Sequence, residues 1–129
     1  MRQGEIFERY FDVTPEVHKA FTDIFNDKNP LHTDEAYAKG KGFDGRVMHG
    51  NILGGFLSYF IGECLPEKNV IIHSQSIKYR RPVYLNDKLK LVGEVEEIFE
   101  SVKTIDIKYY FENQNKVKVA SGTIQISFI

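Results

Sequence analysis

Two side chains capable of proton chemistry lie five positions apart in the stretch Asp27-Lys28-Asn29-Pro30-Leu31-His32. An Asn-Pro pair starts a turn, and the residue before a proline is driven out of the helical region. On a helix, residues five apart diverge, but a stiff bend can aim them at one point. Asp27 and His32 are therefore candidates for two groups that share one water molecule. Such a pair can take a proton from water and deliver one to a substrate carbon, and imidazole, titrating near ~6.5, suits that exchange around neutrality. A second candidate lies downstream at His49-Gly50, where an apolar stretch of helical spacing begins. The first amides of a helix have no intrahelical acceptor and carry the positive end of its dipole. At Gly50, with no Cβ in the way, such an amide can donate to a carbonyl oxygen that turns negative during reaction. A tight loop-to-helix turn would also account for the glycine.

The elements that must position these groups follow from periodicity and punctuation. Glu5 to Val13 is expected as a strand. Thr14-Pro15-Glu16 starts a helix, with Thr14 as the cap, Pro15 at the first helical position and Glu16 at the positive end of the dipole. Val17, Ala20, Phe21, Ile24 and Phe25 follow at helical spacing and give it one apolar face. It runs out at Asn26-Asp27. Beyond the bend, Thr33 or Asp34 caps a short helix through Lys39, stopped by Gly40 and Gly42. The longest apolar run, with Ile52, Leu53, Phe56, Leu57, Phe60, Ile61, Cys64 and Leu65 three and four apart, predicts a helix from Gly50 to Cys64. Its apolar residues exceed one stripe, so most of its circumference should be covered, and Gly54 and Gly55 would allow another backbone to approach.

Val70 to Arg80, Lys88 to Phe99, Val102 to Asn113 and Lys116 to Ile129 are expected strands. The apolar phase of the last one flips, which calls for a bulge near Gly122. Short gaps between successive strands imply hairpins and an antiparallel meander. Its length implies curvature, and the 50–64 helix is the one element apolar enough to lie along it. The expected fold is α+β: a single domain over residues 1–129, with a long curved antiparallel sheet wrapped around a central helix in the hot-dog arrangement.

Composition limits the functions available. With 42% hydrophobic and 27% charged residues in 129, one globular domain can bury a core. Seventeen basic against eighteen acidic side chains leave a formal charge of -1, so no global field recruits nucleic acid or a membrane. A single cysteine, Cys64, excludes an internal disulfide. No apolar run reaches the ~20 residues of a spanning helix, and Met1 to Tyr10 lacks the apolar core of a signal peptide. The expected location is cytoplasmic. Four histidines and one cysteine show no metal-ligand spacing, so no metal is expected. His18 falls off the apolar face and should be solvated. His73 should be structural, Cys64 a small buried apolar group, and His49 a support for its loop. Lys78, Arg80 and Arg81 form a basic cluster beside Pro82, either a solvated face or a phosphate contact.

The combination of Asp27 to His32, Thr33-Asp34-Glu35-Ala36-Tyr37-Ala38 and Val47-Met48-His49-Gly50 resembles the MaoC-like or (R)-specific enoyl-CoA hydratase family. Arg81-Pro82-Val83 followed by Asn86-Asp87 is similar to a later segment of such domains. The resemblance implies a homodimer or dimer of dimers that reversibly adds water to a trans-2-enoyl-CoA, giving the (R)-3-hydroxyacyl product. It implies Asp27 and His32 as the catalytic dyad and Gly50 as the oxyanion donor. It adds Asn29 and Ser58 to the substrate-binding set, with Ser58 orienting the carboxylate, and Lys78, Arg80 and Arg81 as contacts to coenzyme A phosphates. No cofactor is implied beyond the coenzyme A of the substrate. Asn51 departs from the bulky aliphatic residue often found after His-Gly. Two alternatives are a hot-dog acyl-CoA thioesterase and a non-catalytic acyl-binding or dimerisation module. The thioesterase needs a carboxylate early on the central helix, and none occurs before Glu63. The module would have no use for both Asp27 and His32.

Overall fold

Thr14 starts the first helix as its side chain predicts. In the computed structural model, which describes residues 1–129, its hydroxyl accepts from the Val17 amide at 3.1 Å and Pro15 opens helix α1, Pro15–Phe25. Asn26 ends α1 with a φ of 55°, a left-handed position that asparagine tolerates. Two short helices follow, α2 at Pro30–Thr33 and α3 at Glu35–Gly40. Of the two possible caps for the second, Asp34 serves, its Oδ1 accepting from the Tyr37 amide at 3.0 Å. The central helix α4, Asn51–Tyr59, continues through a π-helical turn at Phe60–Cys64.

The strands are β1 (Ile6–Asp12), β2 (Val70–Gln75), β3 (Lys78–Tyr79), β4 (Lys88–Phe99), β5 (Thr104–Glu112) and β6 (Lys118–Phe128). All pair antiparallel, in the order β1-β4-β5-β6-β2, with β3 also on β6. Only β4-β5-β6 form the expected meander. The segment from Val70 to Arg80 does not make a hairpin with β4; it crosses the sheet to pair with β6 and breaks into β2 and β3. The break has a local cause. Ser76 bonds three times to Thr123, its amide donating to the carbonyl and its hydroxyl accepting from the amide and pairing with the Thr123 hydroxyl, so the chain is pinned across β6 there. The bulge in β6 also lies elsewhere than expected. Phe111 pairs with Ala120 and Glu112 with Lys118, which leaves Val119 as the extra residue rather than Gly122.

One face of this sheet meets α4. Leu53, Leu57 and Phe60 from the helix pack with Leu89, Leu91, Val95, Ile105, Ile107, Phe111, Ile124 and Ile126 from the strands in one buried cluster. The arrangement is a hot-dog fold whose sheet remains open rather than closed into a barrel. The helix is less enclosed than its composition suggests. Asn51, Gly55, Ser58 and Tyr59 are exposed, because the sheet takes only one side of α4 and α1 covers little of the rest. An added Cβ at Gly54 or Gly55 meets nothing within 4 Å, so these glycines admit no neighbouring backbone within the chain. No helix is long and apolar enough to cross a membrane.

The glycine that close packing demands is Gly122. A Cβ there would stand 2.0 Å from the Ser76 carbonyl oxygen and 2.9 Å from the Tyr109 hydroxyl, which itself donates to that carbonyl at 2.7 Å. Gly122→Ala should therefore lower unfolding stability by about 2–3 kcal/mol, measured as a shift in the urea midpoint at constant slope.

Candidate active site

Three backbone hydrogen bonds build the loop ahead of α4. The Val47 amide donates to the Leu31 carbonyl at 3.0 Å, and the Met48 amide to the Val83 carbonyl at 2.8 Å. An isolated antiparallel bridge joins Val47 to Tyr84. The third, the Ile52 amide to the His49 carbonyl at 3.1 Å, begins the helical turns. Val47 is thereby tied to both the α2 segment and the turn before β4. Asp87 makes that turn rigid: buried, it accepts from the Tyr84 amide at 2.9 Å and the Gln114 side chain at 3.0 Å.

His32 lies at the end of α2 with its Nδ1 2.7 Å from the Val47 carbonyl oxygen. A carbonyl only accepts, so Nδ1 carries the proton and Nε2 is the nitrogen left for chemistry. Asp27 lies on the link between α1 and α2. Its side chain is exposed, and its one hydrogen bond is from the Asn29 amide at 3.4 Å. Ligand atoms of Asp27, His32 and His49 fall within 4.8 Å of one another, so the bend does bring the acid and the imidazole together.

His49 is the third member of that group and is only 3% exposed. Its Nε2 donates to the Asp27 carbonyl at 2.9 Å. Its ring lies 4.0 Å from the His32 ring at 31°, and 4.7 Å from Phe21. Nδ1 is buried without a protein partner. Burial pushes the His49 imidazolium below its usual range, partly offset by the bond to Asp27, with His32 adding a smaller push downward. A nitrogen that presents its proton to a carbonyl offers no lone pair, so a metal would find only Nδ1 on this ring. The arrangement fits a dyad with a supporting imidazole better than a ligand set.

His18 differs from its sequence-based expectation. It is 8% exposed, not solvated, and its Nε2 donates to the His32 carbonyl at 2.8 Å. Helix α1 turns its polar side, His18 and Thr22, toward the site loop. Ile24 and Phe25 are consequently 75% and 66% exposed. Val17 and Phe21 still pack against the core, while His18 supplies a donor to the His32 carbonyl.

Gly50 precedes α4 with a φ of -58° and a ψ of -35°, and its amide donates to no acceptor in the chain. The Tyr79 ring packs on it so closely that a Cβ would lie 2.7 Å from the ring carbon. Gly50, His32 and Asn51 line an open cleft of about 570 Å³ together with Tyr79, Arg80, Arg81 and Val83. A second, more apolar groove of about 770 Å³ runs between α1 and α4, with Asp27, Phe21, Ile24, Asn51 and Phe56 along it. Asp27 and His32 therefore stand where the two clefts meet, and Asn51 borders both. Tyr79 escaped notice in the sequence; its only signal is that it precedes the arginine pair.

The remaining candidates are placed differently. The Asn29 side-chain oxygen caps α2 by accepting from the Leu31 amide at 2.9 Å, leaving only its amide nitrogen for a substrate. Ser58 is exposed and lines neither cleft, and its hydroxyl makes no hydrogen bond to the Asp27 carboxylate. Arg80 and Arg81 line the first cleft; Lys78, though adjacent in sequence, does not. Arg80 is held by Ser121, its Nε donating at 2.8 Å. Cys64 is half-buried and accepts from Arg9 at 3.1 Å. His73 is exposed at an irregularity in β2.

Because the folded chain resists charging His49, the unfolded chain takes up the proton first as pH falls through about 6.5. Stability should therefore decline as pH drops below that value. The decline should be shallower in His49→Gln, which cannot titrate, when thermal midpoints are compared across pH.

Residues 3–119 match the family model described as MaoC like domain. Over 88 residues, 68% of this chain and 61% of the relative, the sequence is 37% identical to an (R)-specific enoyl-CoA hydratase of Rhodospirillum rubrum. Over 125 residues, 95% of this chain and 74% of the relative, it is 26% identical to a mitochondrial 3-hydroxyacyl-[acyl-carrier-protein] dehydratase of Arabidopsis thaliana. The fold superposes on the unliganded R-hydratase PhaJ1 of Pseudomonas aeruginosa with a TM-score of 0.90 at 29% identity, covering 99% of this chain and 82% of that one. The chain belongs to the MaoC-like domain family.

Proposed function

We propose that the protein is a hydro-lyase that reversibly hydrates a trans-2-enoyl-CoA to the (R)-3-hydroxyacyl-CoA, with Asp27 and His32 as its dyad. The observation that carries this reading is the His32 Nδ1–H bond to Val47, which leaves Nε2 without a partner in the chain, with Asp27 close to the ring and an unused Gly50 amide in the cleft that His32 lines. In the hydration direction one water lies between Asp27 and His32. A proton leaves the water, its oxygen bonds to C3, and a proton is delivered to C2 on the same face. The addition is therefore syn. Electron density moving onto the thioester oxygen is met by the Gly50 amide, an effect worth on the order of 3 kcal/mol for comparable donors. The carrier lies in the cleft of Arg80 and Arg81, whose fork-shaped donors suit phosphate oxygens. The apolar groove of Phe21, Ile24 and Phe56, which begins at Asp27, accommodates the acyl chain. Water and the substrate supply every atom that moves, so this route calls on no resident cofactor or metal.

The first turns of α4 offer Asn51 and no acid, and Glu63 pairs with Lys68 at 2.9 Å far along the helix. Nothing in that layout favours thioester hydrolysis. Mixing the protein with crotonyl-CoA should bleach the enoyl thioester absorbance without releasing free thiol. Asp27→Asn and His32→Ala should each slow this by about 10²–10⁴-fold, with far-UV spectra unchanged. Full rates in both variants would remove the dyad, and thiol release would favour a thioesterase.

The carrier assignment has its own test. Charge reversal at Arg80 or Arg81 should raise KM for crotonyl-CoA by about ten-fold, with added salt producing a similar rise in the parent protein. KM for a crotonyl thioester of N-acetylcysteamine, which carries no phosphate, should stay constant in both cases.

A further inference from the structure

We infer that His49 is a positioning residue that sets the separation of Asp27 and His32, an inference that builds on the dyad proposed above. Asp27 needs such help. It lies on an exposed link, and its carboxylate has a single long hydrogen bond, from the Asn29 amide at 3.4 Å. What holds the residue firmly is its own carbonyl, which accepts from His49 Nε2 at 2.9 Å. The same imidazole packs against the His32 ring, centroid to centroid 4.0 Å and 31° apart. One planar side chain thus touches both members of the dyad, through a hydrogen bond on one side and a ring face on the other.

The ring is itself fixed. It is buried, Phe21 packs against it at 4.7 Å, and His18 lies 5.6 Å away while holding the His32 carbonyl. Both dyad carbonyls are therefore tied by buried imidazoles, Asp27 through His49 and His32 through His18. Only His49 also contacts the ring that would exchange protons. The titratable groups facing it are His18, His32 and Asp27. A neutral His49 is the form that this role needs, because a second imidazolium 4.0 Å from His32 would oppose protonation of His32 during turnover. Burial favours that neutral form. Positioning errors of this kind are expensive, since a displacement of about 1 Å at a reacting group can cost about 10²-fold in rate.

Two variants separate positioning from mere packing. His49→Phe keeps a ring against His32 but removes the donor to Asp27. It also removes the buried, unpartnered Nδ1, which offsets the donor lost to the Asp27 carbonyl, so its thermal midpoint should change little. Its kcat on crotonyl-CoA should drop by about 10–100-fold with KM nearly constant. His49→Gln restores a side-chain N–H donor at similar reach and should recover most of the lost rate. Backbone amide exchange around Asp27 to Asn29 should quicken in the Phe variant and return toward normal in the Gln variant. Unchanged kcat in His49→Phe would overturn the assignment. So would equal damage in both variants, or a rate loss matched by loss of folded protein. If the parent protein turns over neither enoyl-CoA nor 3-hydroxyacyl-CoA, the dyad reading fails by itself. The exchange measurement still decides whether His49 holds the Asp27 segment.

Discussion

The hydrogen bond from His32 Nδ1 to the Val47 carbonyl is the interaction on which the candidate site depends. It does two things at once. It selects the imidazole tautomer, so that Nε2 is the nitrogen left without a partner, and it ties α2 to the loop that ends at Gly50. The bond is possible only because Val47 is already fixed, by Leu31 on one side and by its bridge to Tyr84 on the other. That bridge in turn rests on Asp87, a buried acid whose two oxygens are both occupied. The hydrogen bond at the His32 imidazole thus draws its rigidity from the turn before β4, dozens of residues away.

The second constraint is the start of α4. A helix end with free amides favours negative charge, but only if the backbone can be approached. At Gly50 the nearest neighbour is the Tyr79 ring, and the absence of a Cβ lets the phenol pack closely against the turn. The sheet reaches this place by an indirect route. Because β6 bulges at Val119 and pins Ser76 above Gly122, the chain leaves β2 and returns as β3. Tyr79, Arg80 and Arg81 are thereby delivered to the cleft. The packing that shapes the sheet also places the charged side chains.

Much of this was legible in residue types. The Thr14-Pro15 helix start, the apolar periodicity from Ile52 to Leu65 and the alternation in β4 and β5 each correspond to an observed element. The reason is that caps, glycine and proline act within a few residues, and a one-sided sheet imposes a period of two. Local rules failed wherever a distant partner decided. His18 was expected in solvent because it departs from the apolar face of α1, yet a carbonyl fourteen residues later needed a donor. Ile24 and Phe25, expected on the apolar face of α1, lie largely exposed at its end. Val70 to Arg80 was read as one strand because nothing local marks Ser76 as an anchor to Thr123.

The sequence by itself determined the chemistry on offer: an acid and an imidazole across an Asn-Pro bend, a glycine at the head of an apolar helix, and a sheet long enough to wrap it. Those properties belong to residue identity and short-range spacing. The tertiary structure alone decided which nitrogen of His32 is available, that His49 touches both Asp27 and His32, and that Tyr79 lines the cleft while Ser58 does not. Each of these outcomes depends on a hydrogen bond or ring contact between segments far apart in the chain. Such contacts are set by strand register and loop geometry, which no short stretch of residues encodes.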